Sequence, residues 1–321
     1  MRLKILLPTS IPLDLCLPDD FTIVRYDPRE PIPAHATDAE VLVAWGNPAD
    51  MLRDAARRLH SLRWVQTLAA GPDQVLAAGF APDVVITSGR SLHDGPVAEH
   101  TLALVLAAAR RLHRLTRAAI GHRWAGELGG IQPIATTGSF RTLRGARVLI
   151  WGFGSIAATL APLLTALGAQ VTGVARTSGE RAGHPVITVD ELPRELPETD
   201  VLIMILPSSS DTHHALDAAR IALLPSHAWL VNVGRGNTVD TDALLAAIRA
   251  GRLGGAALDV FETEPLPVDS PLWDEPDVII SPHAAGGRPL GAEALITENL
   301  QALVEGKPLR NVVTAQAVGS R

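Results

Sequence analysis

Three apolar runs in the last third of the chain each end on a side chain that can do chemistry. Val231-Asn232-Val233-Gly234-Arg235-Gly236 delivers an arginine. Leu258-Asp259-Val260-Phe261-Glu262-Thr263-Glu264-Pro265 delivers carboxylates, and Ile280-Ser281-Pro282-His283-Ala284-Ala285-Gly286 delivers a histidine. Titratable groups placed directly after buried strands are costly unless they line a site. An arginine grips a carboxylate through two hydrogen bonds, a histidine passes a proton, and a carboxylate beside the histidine orients it. Together these are the groups needed to reduce a 2-oxo acid. His100, His113, His213, His214 and His227 lack such a strand-end setting and read as helix-face or surface residues. No cysteine or carboxylate cluster with ligand spacing surrounds His213-His214, so no metal is expected.

A second constellation lies upstream. Val148-Leu149-Ile150-Trp151 runs into Gly152-Phe153-Gly154-Ser155-Ile156-Ala157 and then into a helical stretch ending near Gly168. The first glycine permits a tight turn, the second lets the backbone approach a pyrophosphate, and the small third residue keeps helix and strand close. The helix start then offers free N–H groups and a positive dipole end to phosphate. A site for NAD would carry an acidic residue about 20 residues further on, to hold the ribose diol. Here the next strand leads instead to Arg176-Thr177-Ser178, with Glu180 and Arg181 just beyond. A guanidinium and two hydroxyls suit a 2′-phosphate, so NADP(H) is expected to be preferred, with NAD(H) as the alternative.

The elements that must position these groups are legible as hydrophobic periodicity. Residues 3–7, 41–44, 64–68 and 84–87 read as strands, with a helix over 49–59. A helix of about twenty-five residues is predicted from Pro96, a residue favoured in a first turn. Residues 121–142 are glycine-rich and read as an irregular arm. A second α/β pattern places strands at 148–151, 170–174, 201–205, 229–233, 255–259 and 278–281, and a last helix covers 292–305. Because an α/β unit precedes the phosphate turn, two domains are expected. Residues 1–95 with 289–321 form the substrate domain, and 96–288 form the dinucleotide domain, with the active site in the cleft between them. The leucine- and alanine-rich run from Val97 onward is more apolar than a linker needs, which points to a homodimer held by residues 96–142.

Composition narrows the class. The chain has 321 residues, 47% hydrophobic and 19% charged, enough for large cores. With 34 acidic against 28 basic residues the net charge is −6, which argues against nucleic acid or an anionic membrane surface as a partner. The start, Met1-Arg2-Leu3-Lys4, imitates a signal peptide, but Pro8, Pro12 and Asp14 interrupt the apolar stretch. The sole cysteine, Cys16, points to a reducing compartment, so a cytoplasmic protein is expected.

These motifs, in this order, resemble the D-isomer-specific 2-hydroxyacid dehydrogenases, and the likeness covers nearly the whole chain. It extends to Trp64-Val65-Gln66-Thr67-Leu68-Ala69-Ala70-Gly71 and to Val97-Ala98-Glu99-His100. The resemblance implies a Rossmann-type α/β cofactor domain inserted into a flavodoxin-like one, both with doubly wound parallel sheets. It implies that Arg235 binds the substrate carboxylate, that His283 is the acid/base and that Glu264, before Pro265, is its partner. It places Asp259 on the nicotinamide side and Leu206-Pro207 on the adenosine side. Gly152, Gly154, Ser155, Ile156, Val233, Gly234, Ala285 and Gly286 complete the cofactor set. The substrate's side chain would meet Trp45-Gly46-Asn47 and Ala69-Ala70-Gly71. Relatives include phosphoglycerate-dehydrogenase-like enzymes and dinucleotide-sensing corepressors; the intact Arg235, Glu264 and His283 favour a reductase of glyoxylate, hydroxypyruvate or a similar small 2-oxo acid.

Overall fold

The computed structural model describes residues 3–18, 20–130 and 139–313. The chain forms two compact units, Met1–His93 with Arg288–Arg321, and Asp94–Gly287. In the first, strands β1 (Leu3–Pro8), β2 (Phe21–Tyr26), β3 (Val41–Ala44), β4 (Trp64–Thr67) and β5 (Val85–Thr87) form a parallel sheet ordered β2-β1-β3-β4-β5. That order is the flavodoxin-like arrangement. Successive strand residues face opposite sides, and both sides are buried, so the strands are apolar throughout. Leu6, Leu42 and Val65 meet Leu52 and Ala55 of the helix Ala49–Arg58 on one side. Ile5, Leu7 and Val43 meet Leu295, Ile296 and Leu300 of the helix Ala292–Val304 on the other.

The second unit holds β6 (Arg147–Trp151), β7 (Gln170–Val174), β8 (Gly179–Arg181), β9 (His184–Ile187), β10 (Val201–Met204), β11 (Trp229–Asn232), β12 (Gly255–Leu258) and β13 (Val278–Ile280). Their order is β13-β12-β11-β10-β6-β7-β9-β8, and only β8 runs antiparallel to its neighbour. From β6 the chain moves outward to β7 on one side and later to β10 on the other. That reversal is the switch point at which doubly wound sheets bind ligands. One face packs on the helices Asp94–Ala109 and Ser155–Ala166, through Val105, Leu160 and Leu164. Leu160 and Leu164 are fully buried, so truncating either to alanine would cost about 2–5 kcal/mol. Among the described residues no helix is long and apolar enough to cross a membrane.

The α/β class matches the sequence expectation, while three local readings need correction. The long helix starts earlier, at Asp94, with Pro96 still in the first turn, where a missing N–H costs little. It stops at Ala109; Arg111 adopts a left-handed φ of 54° and a separate helix covers Leu112–Ile120. The break falls where the apolar run ends in Arg110-Arg111, with no glycine or proline to announce it. Strand β2 was not expected: it is a half-exposed edge strand paired with β1 alone. The hairpin β8–β9 was not expected either, being short, polar and at the sheet edge. Part of the expected irregular arm, 131–138, lies outside the described residues.

Candidate active site

The phosphate turn is set by close backbone approach. Gly152 has φ 103°, and a Cβ there would lie 2.5 Å from the Ile205 carbonyl oxygen. A Cβ on Gly234 would lie 2.6 Å from both the N and O of Leu206. The turns after β6, β10 and β11 therefore touch through glycine, with Gly152 and Gly234 both pressed against the Ile205–Leu206 backbone and Val233 just before Gly234. Gly154, by contrast, faces open space and caps the helix Ser155–Ala166 without any side-chain hydrogen bond. An uncapped helix start beside an open glycine fits a dinucleotide pyrophosphate. Ser155 begins the helix, and its Oγ donates to Asp94 Oδ1 at 2.9 Å. Arg176, Thr177 and Ser178 follow β7 and are exposed.

The three candidate chemical residues sit at the carboxyl ends of three adjacent strands. Arg235 follows β11, where its carbonyl accepts from Thr238 Oγ1 at 2.6 Å and Asn232 Nδ2 at 3.1 Å. Asn232 Oδ1 accepts from the Gly234 N–H at 3.1 Å, so one buried side chain fixes both residues of the turn. Gly236 is forced, since a Cβ would fall 1.9 Å from the Phe261 carbonyl carbon. Arg235 Nη1 donates to the Gly234 carbonyl at 2.8 Å. Glu264, after β12, accepts from the Phe261 N–H on one oxygen at 2.9 Å. Its other oxygen lies 2.8 Å from His283 Nδ1. A carboxylate only accepts, so Nδ1 carries the proton there and Nε2 is turned away from Glu264. Both side chains keep solvent access, 48% for His283 and 36% for Glu264.

His283 has φ 52°, a left-handed conformation that costs a non-glycine residue about 1 kcal/mol or more. Asp259 over-determines it. The Asp259 carbonyl accepts from the His283 N–H at 2.8 Å. Its fully buried carboxylate accepts from Ser281 Oγ at 2.6 Å and from the N–H groups of Ala284 at 2.8 Å and Ala285 at 3.1 Å. His100 Nε2 stands 3.0 Å from Ser281 Oγ and 3.3 Å from Asp259. Of the two readings of His100, helix face or surface, the helix face holds: it lies on the helix Asp94–Ala109, half-buried, and braces the segment that carries His283. The His113 ring is buried more deeply, 5.3 Å from the Trp229 ring. His213 and His214 stack on each other, with His214 3.4 Å from Glu262. Hydrogen bonds from Thr241 and His214 hold the Glu262 carboxyl below the usual range against the upward push of burial. Glu262 is thus engaged away from His283.

In the first unit, Trp45-Gly46-Asn47 and Leu68 to Gly71 follow β3 and β4 and are brought together by residues that sequence reasoning passed over. Asn47 Oδ1 accepts from the Trp45 N–H at 3.0 Å and from the Tyr26 hydroxyl at 3.1 Å. Burial drives the Tyr26 hydroxyl's pKa far up, partly offset by Asn47, so it stays a neutral donor. His93 Nε2 is 2.7 Å from the Leu68 carbonyl, and its ring stacks on Trp45 at 5.6 Å. Ala69 is tied by its carbonyl to the Gly89 N–H at 2.8 Å, beside Ala70 and Gly71. A Cβ on Gly89 would collide with the Leu68 carbonyl at 2.0 Å.

Known proteins resemble this chain in sequence and in fold. Residues 102–285, more than half of the chain, match the family described as D-isomer specific 2-hydroxyacid dehydrogenase, NAD binding domain. A glyoxylate reductase of Aeropyrum pernix is 32% identical over 280 residues, covering 85% of this chain and 81% of that one. A glyoxylate/hydroxypyruvate reductase B of Citrobacter koseri is 31% identical across 99% of this chain and 100% of its own. The crystal structure of a D-isomer specific 2-hydroxyacid dehydrogenase from Xanthobacter autotrophicus Py2, in complex with NADPH and MES, has a TM-score of 0.78. It is 29% identical and covers 98% of this chain and 99% of that one.

Proposed function

From the premise that this chain belongs to the D-isomer-specific 2-hydroxyacid dehydrogenases, and so exchanges hydride with 2-oxo acids, we propose that it reduces glyoxylate, hydroxypyruvate or a 2-oxo acid of similar size. NADP(H) is the preferred cofactor and NAD(H) the weaker one. The observation that carries the reading is the 2.8 Å contact of His283 with Glu264, one strand away from Arg235. When bound, the nicotinamide supplies the hydride to C2 of the substrate. Arg235 holds the carboxylate with its planar fork. Glu264 fixes the His283 ring through Nδ1, which leaves Nε2 to give a proton to the carbonyl oxygen as it becomes a hydroxyl. In the reverse direction His283 takes that proton back. Asp259 sets the backbone on which the histidine stands.

The cofactor preference is supported by chemistry at the end of β7. Arg176, Thr177 and Ser178 stand where a ribose-binding carboxylate would repel a 2′-phosphate. The NADPH bound by the Xanthobacter protein supports the same reading. A panel of 2-oxo acids assayed with NADPH and NADH tests it. Rapid NADPH oxidation with glyoxylate or hydroxypyruvate is expected, and no turnover of either nicotinamide with any 2-oxo acid would overturn it.

The chain works as a homodimer through residues 96–142. Leu112, Ile120 and Trp124, exposed by 48%, 75% and 95%, lie close in sequence along this stretch. Apolar surface of this kind finds a partner. Light scattering at micromolar concentration should give a dimer mass; a monomer rejects it. The exposed lone Cys16 accords with a reducing, cytoplasmic setting.

A further inference from the structure

The hairpin β8–β9 builds an arginine into the rim of the phosphate turn. Its two-residue loop, Ala182-Gly183, has φ values of 50° and 75°, both left-handed, as a tight type I′ turn requires. The register pairs Arg181 with His184. His184 anchors the hairpin: Nε2 is 3.0 Å from Thr165 Oγ1 on the helix Ser155–Ala166, and its ring is 6.3 Å from that of Phe153. Phe153 in turn occupies the space a side chain on Gly173 would need, 2.3 Å from a Cβ there. Hairpin, helix and glycine turn are therefore locked together.

Arg181 reaches back across this frame. Its Nη1 donates to the Phe153 carbonyl at 3.1 Å, inside the Gly152-Phe153-Gly154 turn. Its Nη2 donates to the Thr177 carbonyl at 3.0 Å and to Thr177 Oγ1 at 2.6 Å. A guanidinium has five N–H donors, so these three bonds leave two, one on Nε and one on Nη1. All three acceptors are neutral, and among the described residues no carboxylate pairs with it. Glu180 precedes Arg181 in the strand, so its side chain leaves the opposite face. A staple for the hairpin would need donors only. A half-buried, uncompensated positive charge held rigidly over the phosphate turn is suited to a ligand anion.

We infer that Arg181, positioned by Thr177, is the principal residue reading the 2′-phosphate of NADP(H). The inference rests on the NADP(H) preference proposed above and assigns it to a residue on the hairpin. Arg176 is exposed and makes no hydrogen bond among the described residues, so it must lose its rotamer freedom on binding. Arg181 is ordered beforehand and adds charge-assisted bonds with less entropy lost.

The test is equilibrium binding of NADPH and NADH, followed by fluorescence, to the wild type and to Arg181→Ala, Arg181→Lys, Arg176→Ala and Thr177→Val. The wild type should favour NADPH. Arg181→Ala should lose about 10- to 150-fold in NADPH affinity, the worth of charge-assisted hydrogen bonds, with NADH binding unchanged. Arg176→Ala should lose less, and Thr177→Val should weaken NADPH alone. If the alanine variant does not fold, Arg181→Lys gives the reading: the charge stays, the clamp goes, and NADPH affinity should fall while NADH affinity holds. An unchanged NADPH-to-NADH ratio in the Arg181 variants, with the ratio lost in Arg176→Ala, overturns the assignment but leaves the NADP(H) preference standing. Equal losses for both cofactors reduce Arg181 to a staple and overturn the assignment. A wild type without preference overturns both readings.

Discussion

The two edges of the eight-stranded sheet treat charge in opposite ways. At the amino edge charges are closed on one another. The Arg147 N–H donates to Asp200 at 2.7 Å and its guanidinium to Glu198 at 2.9 Å, while His227 stands 2.7 Å from Asp200. Arg114 grips Asp277 through two nitrogens, and Arg249 bonds Glu275. At the carboxyl edge the pair His283–Glu264 keeps solvent access on both sides, and Arg181 is held by neutral acceptors. Pairs closed on themselves can only add stability, whereas groups left with unused donors or an unbonded ring nitrogen can act on something else. The contrast predicts that substitutions at one edge change turnover and at the other change melting.

The largest effect belongs to His283. His283→Ala should lose roughly 100- to 10,000-fold in kcat, the usual worth of a positioned acid/base, with an unchanged melting temperature. Near-normal turnover would remove the difference between the edges. The direction of the pH response follows from the stoichiometry: reduction consumes a proton, delivered by His283, and weakens as pH rises, while oxidation of the hydroxy acid releases one and gains. Parallel pH profiles for the two directions would contradict this. Arg235→Lys comes next. An ammonium cannot reproduce the two-pronged grip, and losing a charge-assisted bond should lower kcat/KM about 10- to 150-fold. A loss below that range would mean that Arg235 is not the carboxylate clamp.

What could be read from the sequence follows the same divide. The α/β class was legible because buried parallel strands are short apolar runs between helical periods, and Gly152 and Gly154 announce a turn whose context is local. Arg235 and His283 stood out because each closely follows its own strand, whereas Glu264 was told from Glu262 only by the resemblance, which singles out the residue before Pro265. The braces did not stand out. His100 meets Ser281 across 181 residues and His93 meets Leu68 across 25, contacts that no local spacing encodes. Arg181 sits on a hairpin whose polar residues carry no periodic signal, and Arg111 breaks a helix with a residue that ordinarily extends one. Propensity and pattern report local preference; these features are decided by tertiary packing.

Asp259 sharpens the comparison from inside the carboxyl edge, since it is fully buried yet works through its neighbours. Asp259→Asn replaces an acceptor-only oxygen by a donor facing the N–H groups of Ala284 or Ala285. The mismatch should cost about 1–3 kcal/mol. Because those bonds hold His283 at a positive φ, part of the cost should appear in kcat, with NADPH affinity less affected. A variant that melts lower but turns over normally would assign Asp259 to the fold alone.

The smallest effect is expected at the amino edge. Asp277 lies half-buried between Arg114 and His113, with Nε of Arg114 at 2.8 Å and His113 Nε2 at 3.7 Å. Burial pushes its carboxyl up, but hydrogen bonding and the Arg114 charge win and hold it below the ordinary aspartate value of 3.8. A carboxylate whose folded-state pKa is depressed adds stability above the unfolded value. That stability is lost as pH falls through the folded value. Partial exposure discounts the pair to about 1 kcal/mol, which for a domain of this size shifts melting by about 2 to 4 °C. Asp277→Asn should therefore melt a few degrees lower at neutral pH, converge on the wild type as the medium is acidified below 3.8, and keep full turnover. A melting difference that persists in acid would trace the effect to packing against Arg114, and a loss of kcat at neutral pH would show that the two edges are coupled.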